Sequence, residues 1–382
     1  MTLPASRPRT VMIVAGETSG DMHGGRLVLS LLARDPSLRF CGMGGSAMRA
    51  AGVEMLYDAG KVAVMGLFEV AVHLRDILAA FKILTTRLRR QPPDLLVLID
   101  LPDFNTRLAA RAKGLGIPVL YYICPQVWAW RSNRARKLAS LVDRMAVILP
   151  FEKAFYQRYG VEVTYVGHPL LDSEELRRTP LKRGTSLPPC IGLLPGSRPG
   201  EIKRMLPLFL ETARHLHRVF PGAEFLLPLA PDLDVSLLKE HLGRQHFTVT
   251  LVREERYAAM ARCDAVMAAS GTVTLELALL RVPAVIAYRM HPLTFFLARH
   301  LVEVPFVSLV NLIAGKEIVA ELLQEKATAE SVAARVAECC RPGPAREELL
   351  AGYTDVREKL GEPGASARVA AIVLDMLDRK SV

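Results

Sequence analysis

Leu95-Leu96-Val97-Leu98-Ile99 runs directly into Asp100-Leu101-Pro102-Asp103-Phe104-Asn105. Five consecutive apolar residues without polar alternation predict a strand buried on both faces, the reading of a strand in a parallel sheet. Asp100 then marks the carboxyl edge of that sheet. Outward from this stretch, Val11–Ala15, Val119–Ile123 and Met145–Leu149 repeat the pattern, with segments of helical period between them. The alternation predicts a doubly wound α/β domain. It pauses over Asp172–Pro189, a charged, proline-containing stretch that reads as a linker. It restarts with strand candidates at Ile191–Leu194, Glu224–Leu229, Phe247–Leu251, Ala265–Ala268 and Pro283–Ala287. The C-terminal stretch reads as helices only, broken at Pro342-Gly343-Pro344 and Pro363-Gly364. Two such domains would put a cleft at the carboxyl ends of their sheets, where ligands of these folds bind.

The 382 residues are 51% hydrophobic and 23% charged, which excludes disorder and leaves room for two cores. The net charge is +10. Residues 1–180 hold 24 Lys+Arg against 16 Asp+Glu, so most of the excess lies in the first half. That half calls for an acidic partner: nucleic acid, anionic lipid or a phosphorylated substrate. No apolar run reaches the roughly 18 residues that cross a bilayer. Val11–Ala15 is too short for a signal-peptide core. The six cysteines form no C-x-x-C pair, so reduced thiols and no structural zinc are expected.

Four glycine-bearing stretches read as turns after strands. Gly16-Glu17-Thr18-Ser19-Gly20-Asp21 suits an anion or hydroxyl-rich ligand at a helix start, or is a plain turn with Asp21 as cap. Gly42-Met43-Gly44-Gly45 lacks the third glycine of a dinucleotide fingerprint. Gly196-Ser197-Arg198, followed by Glu201, suits a diphosphate through backbone N–H groups and a guanidinium. Ser270-Gly271-Thr272 opens a helix whose dipole would face a phosphate, and Glu276 one turn later reaches diol hydroxyls. The absence of G-x-x-x-x-G-K-[ST] excludes P-loop nucleotide hydrolysis.

Asp100 is the candidate general base, with Asp103 and Asn105 as cap and support. Its alternative is a carboxylate that only satisfies loop N–H groups. Tyr121–Arg131 gathers both tryptophans, Trp128 and Trp130, which either stack on a ligand or pack between domains. His168 reads as hinge structure. Lys61–Arg90 carries more apolar residues than one helical stripe uses. Leu67, Val70, Leu74, Ile77, Phe81 and Leu88 suffice for a core face. Phe68, Val72 and Leu78, rimmed by Arg75 and Lys82, would then be exposed as a membrane patch, unless the helix is buried between two layers.

The motifs AGETSGD (15–21), MGLFEV (65–70), IDLPDFN (99–105), WAWR (128–131), LPFEKAFY (149–156), VGHPL (166–170), LLPGSR (193–198), ASGTVTLE (269–276) and AELLQ (320–324) occur in that order. Together they closely resemble the lipid-A-disaccharide synthase family of Gram-negative bacteria across nearly the whole chain. The family commonly has Leu-Pro-Asn where this chain has Leu309-Val310-Asn311, and often Ala in place of Val273. The resemblance implies an α/β GT-B fold: two Rossmann-like domains whose parallel sheets face a central cleft, with a helical C-terminal tail. The expected boundaries are 1–172 for the acceptor and membrane-facing domain, 185–345 for the UDP-sugar domain, and 346–382 for helices packing back across them.

It further implies an inverting transfer from UDP-2,3-diacylglucosamine to 2,3-diacylglucosamine 1-phosphate (lipid X), in lipid A biosynthesis, with no cofactor and no metal. Asp100 would be the base. Gly196, Ser197, Arg198, Ser270, Gly271, Thr272, Glu276, Arg289 and Asn311 would hold the donor. Gly16, Glu17, Ser19, Asp103, Asn105 and Trp128 would line the acceptor side. The implied setting is the cytoplasmic face of the inner membrane, without nucleic acid, with a homodimer left open. The rivals are another UDP-sugar GT-B enzyme, a UDP-sugar epimerase, or a non-catalytic anionic-lipid-binding protein.

Overall fold

The computed structural model describes residues 7–61, 74–130, 133–182, 184–229, 233, 235–243, 245–290, 295 and 304–379. The chain divides into two compact units, Met1–Asp172 with Glu362–Val382, and Ser173–Gly361.

The first unit is built on a parallel sheet of order β3-β2-β1-β4-β5-β6-β7. Its strands are β1 (Thr10–Ala15), β2 (Arg39–Gly44), β3 (Glu54–Asp58), β4 (Leu95–Ile99), β5 (Val119–Tyr122), β6 (Arg144–Val147) and β7 (Glu162–Tyr165). Alternate residues supply two cores, as unbroken apolar runs require. Met12, Val14, Leu96, Leu98 and Tyr121 face the helices Leu74–Arg90 and Pro102–Lys113. Ile13, Ala15, Val97, Ile99 and Tyr122 share the other core with Val369, Val373 and Leu377 of the helix Ala365–Arg379. That last helix is fixed at its start by Asp172, whose carboxylate accepts from Gly364 N and Ser366 N.

The second unit holds β8 (Cys190–Leu194), β9 (Glu224–Pro228), β10 (Val249–Val252), β11 (Ala265–Ala268), β12 (Ala284–Tyr288) and β13 (Glu321–Leu323), in the order β10-β9-β8-β11-β12-β13. Within it lie the helices Pro199–Val219, Ala329–Cys340 and Pro344–Lys359. Three strands begin on a neighbour's aspartate. Asp94 accepts from Thr10 N at 2.8 Å, Asp143 from Val119 N at 2.7 Å, and Asp264 from Cys190 N at 2.8 Å.

Sequence reading missed β2, β3, β7 and β13. Gly42-Met43-Gly44 is not a turn but the buried end of β2. A Cβ on Gly42 would lie 1.8 Å from Ile13 O, so only glycine lets β2 approach β1 here. The N–H groups that follow are already used: Asp21 accepts from Gly45, Ala47 and Met48 at 2.7, 2.8 and 3.0 Å. On the Leu74–Arg90 helix Leu88 is buried and Ile77 and Phe81 pack against the core, as expected, and Ala80 and Leu84 join them. Leu78 is exposed as expected, at 57%; Leu74, expected in the core face, is 48% exposed. Phe68 and Val72 lie outside the described residues.

Replacing Gly42 with alanine is expected to force the two strands apart. Unfolding in urea should show a loss of about 3 kcal/mol or more, at or above the top of the overpacking range. An unchanged midpoint would show that β2 can shift at no cost.

Candidate active site

In both sheets the strand order reverses once, between β1 and β4 and between β8 and β11. Ligands of open α/β sheets bind at the carboxyl ends of the strands at such a reversal. The turns leaving these four strands carry Gly16, Asp100, Gly196 and Ser270.

In the first unit Ala15 lies opposite Ile99, so Gly16 and Asp100 leave the sheet side by side. Asp100 and Leu101 both take left-handed backbone, φ 54° and 47°. This conformation costs roughly 1–2 kcal/mol per non-glycine residue. Three interactions hold it. The Tyr121 hydroxyl donates to Asp100 O at 2.6 Å. Asn105 Nδ2 donates to Asp100 O at 2.7 Å and to Ile99 O at 3.1 Å. The Leu101 side chain packs on Gly16, where a Cβ would sit 2.5 Å from it. The result is a half-buried Asp100 at the sheet edge, with Glu17 half-buried and Ser19 exposed beside it.

Asn105 takes the support role: it is fully buried and spends both amide hydrogens on the backbone, while its Oδ1 is buried with no hydrogen-bond partner among the described residues. Asp103 is exposed and pairs with Arg134 at 2.8 Å. Trp128 corrects the expectation of an acceptor contact. It is buried, stands edge-on to Phe151 at 4.8 Å, and donates from Nε1 to Glu152 Oε1 at 3.0 Å. An indole so enclosed has no face left for a sugar. Glu152 was not singled out from sequence. Its other oxygen accepts from Leu149 N at 2.9 Å and Ile148 N at 3.2 Å. Burial pushes its carboxyl up to about 7 against these donors. His168 is buried and held down at about 3 by desolvation; its Nδ1 accepts from Leu170 N at 3.2 Å.

In the second unit Gly196 takes φ 111°, and Ser197 and Arg198 are exposed. The turn is not an open anion cradle. Glu201 Oε2 accepts from Ser197 N at 3.3 Å and Arg198 N at 3.4 Å, and its Oε1 meets the Arg198 guanidinium at 3.5 Å. The Ser270 hydroxyl donates to Val307 O at 2.7 Å, and Gly271 and Thr272 are exposed. The helix they open, Val273–Leu279, is only two turns long, so its first N–H groups rather than a long dipole face the turn.

Glu276 is buried. Its Oε1 accepts from the Arg256 guanidinium at 2.7 Å and the Tyr257 hydroxyl at 3.2 Å. Its Oε2 is buried with no hydrogen-bond partner among the described residues. Arg256, which also lies over the Tyr257 ring at 4.4 Å, was missed from sequence. The adjacent Arg-Tyr pair, ahead of a strand, was the available signal.

Asn311 corrects the donor assignment. It is fully buried; Nδ2 donates to Val319 O and Glu321 Oε1, and Oδ1 accepts from Ile318 N and Val319 N, all between 2.7 and 3.0 Å. Glu321 in turn accepts from Val307 N and Ser308 N at 2.9 Å each. Asn311 thus supports the segment on which Ser270 rests and has no valence for a ligand. Val310 stands in the first turn of the helix Leu309–Ala314, where proline is also tolerated. Arg289 is exposed and donates to Ala327 O. Among the described residues no group of three His, Cys, Asp or Glu is placed to hold a metal ion.

Comparison with known proteins follows the same lines. A family model described as lipid-A-disaccharide synthetase matches residues 11–370. The chain is 48% identical to a lipid-A-disaccharide synthase of Geobacter metallireducens, over 97% of this chain and 98% of that one. It is 46% identical to one of Trichlorobacter lovleyi, over 99% and 100%. Among solved structures it resembles a kitacinnamycin glycotransferase (TM-score 0.65, 16% identity, 97% and 100% covered) and Acinetobacter baumannii MurG (0.57, 13%, 96% and 100%). A UDP-N-acetylglucosamine 2-epimerase from Listeria monocytogenes scores 0.64 at 12% identity, with 97% of each covered. These likenesses place the two sheets in the GT-B fold.

The buried Glu152 gives a pH signature. Its folded-state value lies above the ordinary 4.5, so the folded protein holds this proton more tightly than the unfolded chain does. The associated stability is present below about pH 4.5 and is lost as pH rises through about 7, by roughly 3 kcal/mol. Glu152→Gln should flatten that part of the stability profile between pH 5 and 8. An identical slope in both proteins would assign the dependence to other groups.

Proposed function

The chain belongs to the lipid-A-disaccharide synthetase family and is a glycosyltransferase, and on that premise we propose that it joins UDP-2,3-diacylglucosamine to lipid X and releases UDP. The observation that carries this reading is Glu276. A buried carboxylate oxygen without a donor costs about 1–3 kcal/mol, a cost that a ribose hydroxyl would remove. Arg256 and Tyr257 fix the other oxygen, so the group is oriented before ligand arrives. Arg198, Arg289 and the Ser270–Thr272 turn would meet the diphosphate. Glu201 must yield the Ser197 and Arg198 N–H groups if they are to join in.

Asp100 acts as the general base in this reading. It takes the proton from the acceptor 6-hydroxyl as that oxygen attacks the anomeric carbon. The bond to UDP breaks on the opposite face, so the configuration inverts. The arginines neutralise the charge on the leaving diphosphate, so the step needs no metal. Incubation with UDP-2,3-diacylglucosamine and lipid X should give a disaccharide 1-phosphate by mass. An epimerase would instead change the UDP-sugar without any lipid acceptor. Asp100→Asn should cut turnover by about 10²–10⁴ with UDP affinity unchanged. Glu276→Ala should weaken UDP binding about tenfold or more in calorimetry, the worth of a hydrogen bond to a charged group. Normal turnover in a folded Asp100→Asn protein would end the base assignment.

The acyl substrates suggest a membrane surface. No helix among the described residues is long and apolar enough to cross a membrane. The Leu74–Arg90 helix instead exposes Leu74 and Leu78 on a face shared with the exposed Arg75 and Lys82. Such a face lies on anionic lipid, each nearby cation adding about 1 kcal/mol at low salt. Leu74→Ser with Leu78→Ser should lower sedimentation with phosphatidylglycerol vesicles, while activity on detergent-dispersed substrate persists. Unchanged sedimentation would move the contact elsewhere.

A further inference from the structure

Cys190 opens β8, and Cys263 lies two residues before β11. These strands are neighbours, with Ile191 opposite Ala265. The two sulfurs, 73 positions apart in sequence, lie 4.0 Å apart, and both are buried and unbridged. The room for this approach comes from Gly192, where a Cβ would stand 3.2 Å from Cys263 Sγ and 2.8 Å from Val266 Cγ2. Charged groups surround the pair. Arg262 pairs with Glu224 at 3.3 Å, and Lys182 Nζ lies 2.7 Å from Asp264, whose carboxylate also accepts from Cys190 N. We propose that Cys190 and Cys263 are a peroxide-sensitive dithiol that closes to a disulfide across β8 and β11.

The two thiols differ in acidity, and the difference runs the right way. Cys190 is drawn below the ordinary thiol value by its hydrogen bond with Cys263 and by the positive charges of Arg262 and Lys182, against burial and Glu224; the Cys263 thiol itself donates to Ala259 O at 3.4 Å. Cys263 is pushed well above it, first by the same hydrogen bond and then by burial. Burial pushes Cys41, Cys124, Cys339 and Cys340 up as well. Cys190 is therefore the one cysteine whose thiolate is favoured, and it stands beside a protonated partner. That is the arrangement of an attacking thiol and a resolving thiol.

The chemistry balances with one hydroperoxide. The Cys190 thiolate attacks a peroxide oxygen, the O–O bond breaks, and the departing oxygen takes a proton and leaves as water or an alcohol. Cys190 becomes a sulfenic acid. The Cys263 sulfur then displaces its hydroxyl, which leaves as water, and the S–S bond forms at about 2.05 Å. Two thiols lose two electrons and two protons, and one peroxide is reduced. The sulfurs close by roughly 2 Å, a movement that rotation about their Cα–Cβ bonds can begin. The bridge joins the starting ends of the strands whose other ends carry the Gly196–Arg198 and Ser270–Thr272 turns. It also closes a long loop in the unfolded chain, so the oxidised protein should be the more heat-stable form.

The test treats the full-length protein with a slight excess of hydrogen peroxide, quenches it, and maps it without reduction. The expected result is a mass loss of about 2 Da and a single cross-linked Cys190–Cys263 peptide pair. Free thiols should fall from six to four. The melting temperature should rise and return with dithiothreitol. Cys263→Ser should stop at Cys190 sulfenic acid, a gain of about 16 Da that dimedone traps. Cys190→Ser should leave Cys263 unmodified at the same dose. If either variant is unstable, the map of the unmodified sequence decides alone. Bridging through another cysteine, oxidation of Cys190 to sulfinic acid without a bridge, or six intact thiols would each overturn the proposal.

Discussion

The carbonyl of Asp100 accepts two side-chain hydrogen bonds, and the first unit's site depends on them. Asp100 and Leu101 would not hold left-handed backbone on their own. Asn105 and Tyr121 fasten the carbonyl of Asp100, and Leu101 locks over Gly16. Burial raises Tyr121 well above the ordinary phenol value, so its hydroxyl keeps the proton it donates at any working pH. Strain of this kind persists only where the surroundings over-determine it. Here it holds a half-buried carboxylate at the carboxyl edge of the sheet, beside Glu17 and Ser19.

The second unit reaches the same topological position with a different balance of charge. Glu201 covers the Gly196–Arg198 turn with its own carboxylate, so the N–H groups are satisfied without ligand. Glu276 leaves an oxygen without a partner among the described residues, so its hydrogen bonding stays incomplete without ligand. The first arrangement weakens anion binding by competition, and the second strengthens hydroxyl binding by preorganisation. The Asn311–Glu321–Val307–Ser270 chain of hydrogen bonds fixes where the Ser270 turn sits.

The parallel strands were legible because unbroken apolar runs admit few other readings; Leu95–Ile99 and Ala265–Ala268 are predicted to the residue. The missed strands share a reason. β2 contains Gly42 and Gly44, β3 holds only Met55-Leu56-Tyr57 between Glu54 and Asp58, β7 alternates polar and apolar, and β13 spans three residues. Glycine in β2 reads as a turn, yet it is there because the neighbouring backbone comes too close for a side chain. Asp100 was legible because a carboxylate directly after a buried strand has one place to go. Arg256 was not, since only the fold brings it to Glu276.

Trp128 and Asn311 show why a site list drawn from motifs gathers supports together with contacts. A polar or aromatic residue in a loop motif can face a ligand or hold the loop that does, and the sequence pattern is the same. Hydrogen-bond valence separates the two. Asn311 has both amide hydrogens and its carbonyl engaged by protein. Glu152 and Glu276 make the contrast sharpest, as carboxylates buried to a similar degree. Glu152 accepts from Trp128, Ile148 and Leu149 through both oxygens, and burial still drives it toward the neutral form. It therefore works as a brace for the Trp128 loop. Glu276 has Arg256 and Tyr257 on one oxygen and, among the described residues, no donor on the other. An ion pair completed on one side only keeps a strong acceptor available, and a buried acceptor of that strength selects a ligand that brings hydroxyl donors.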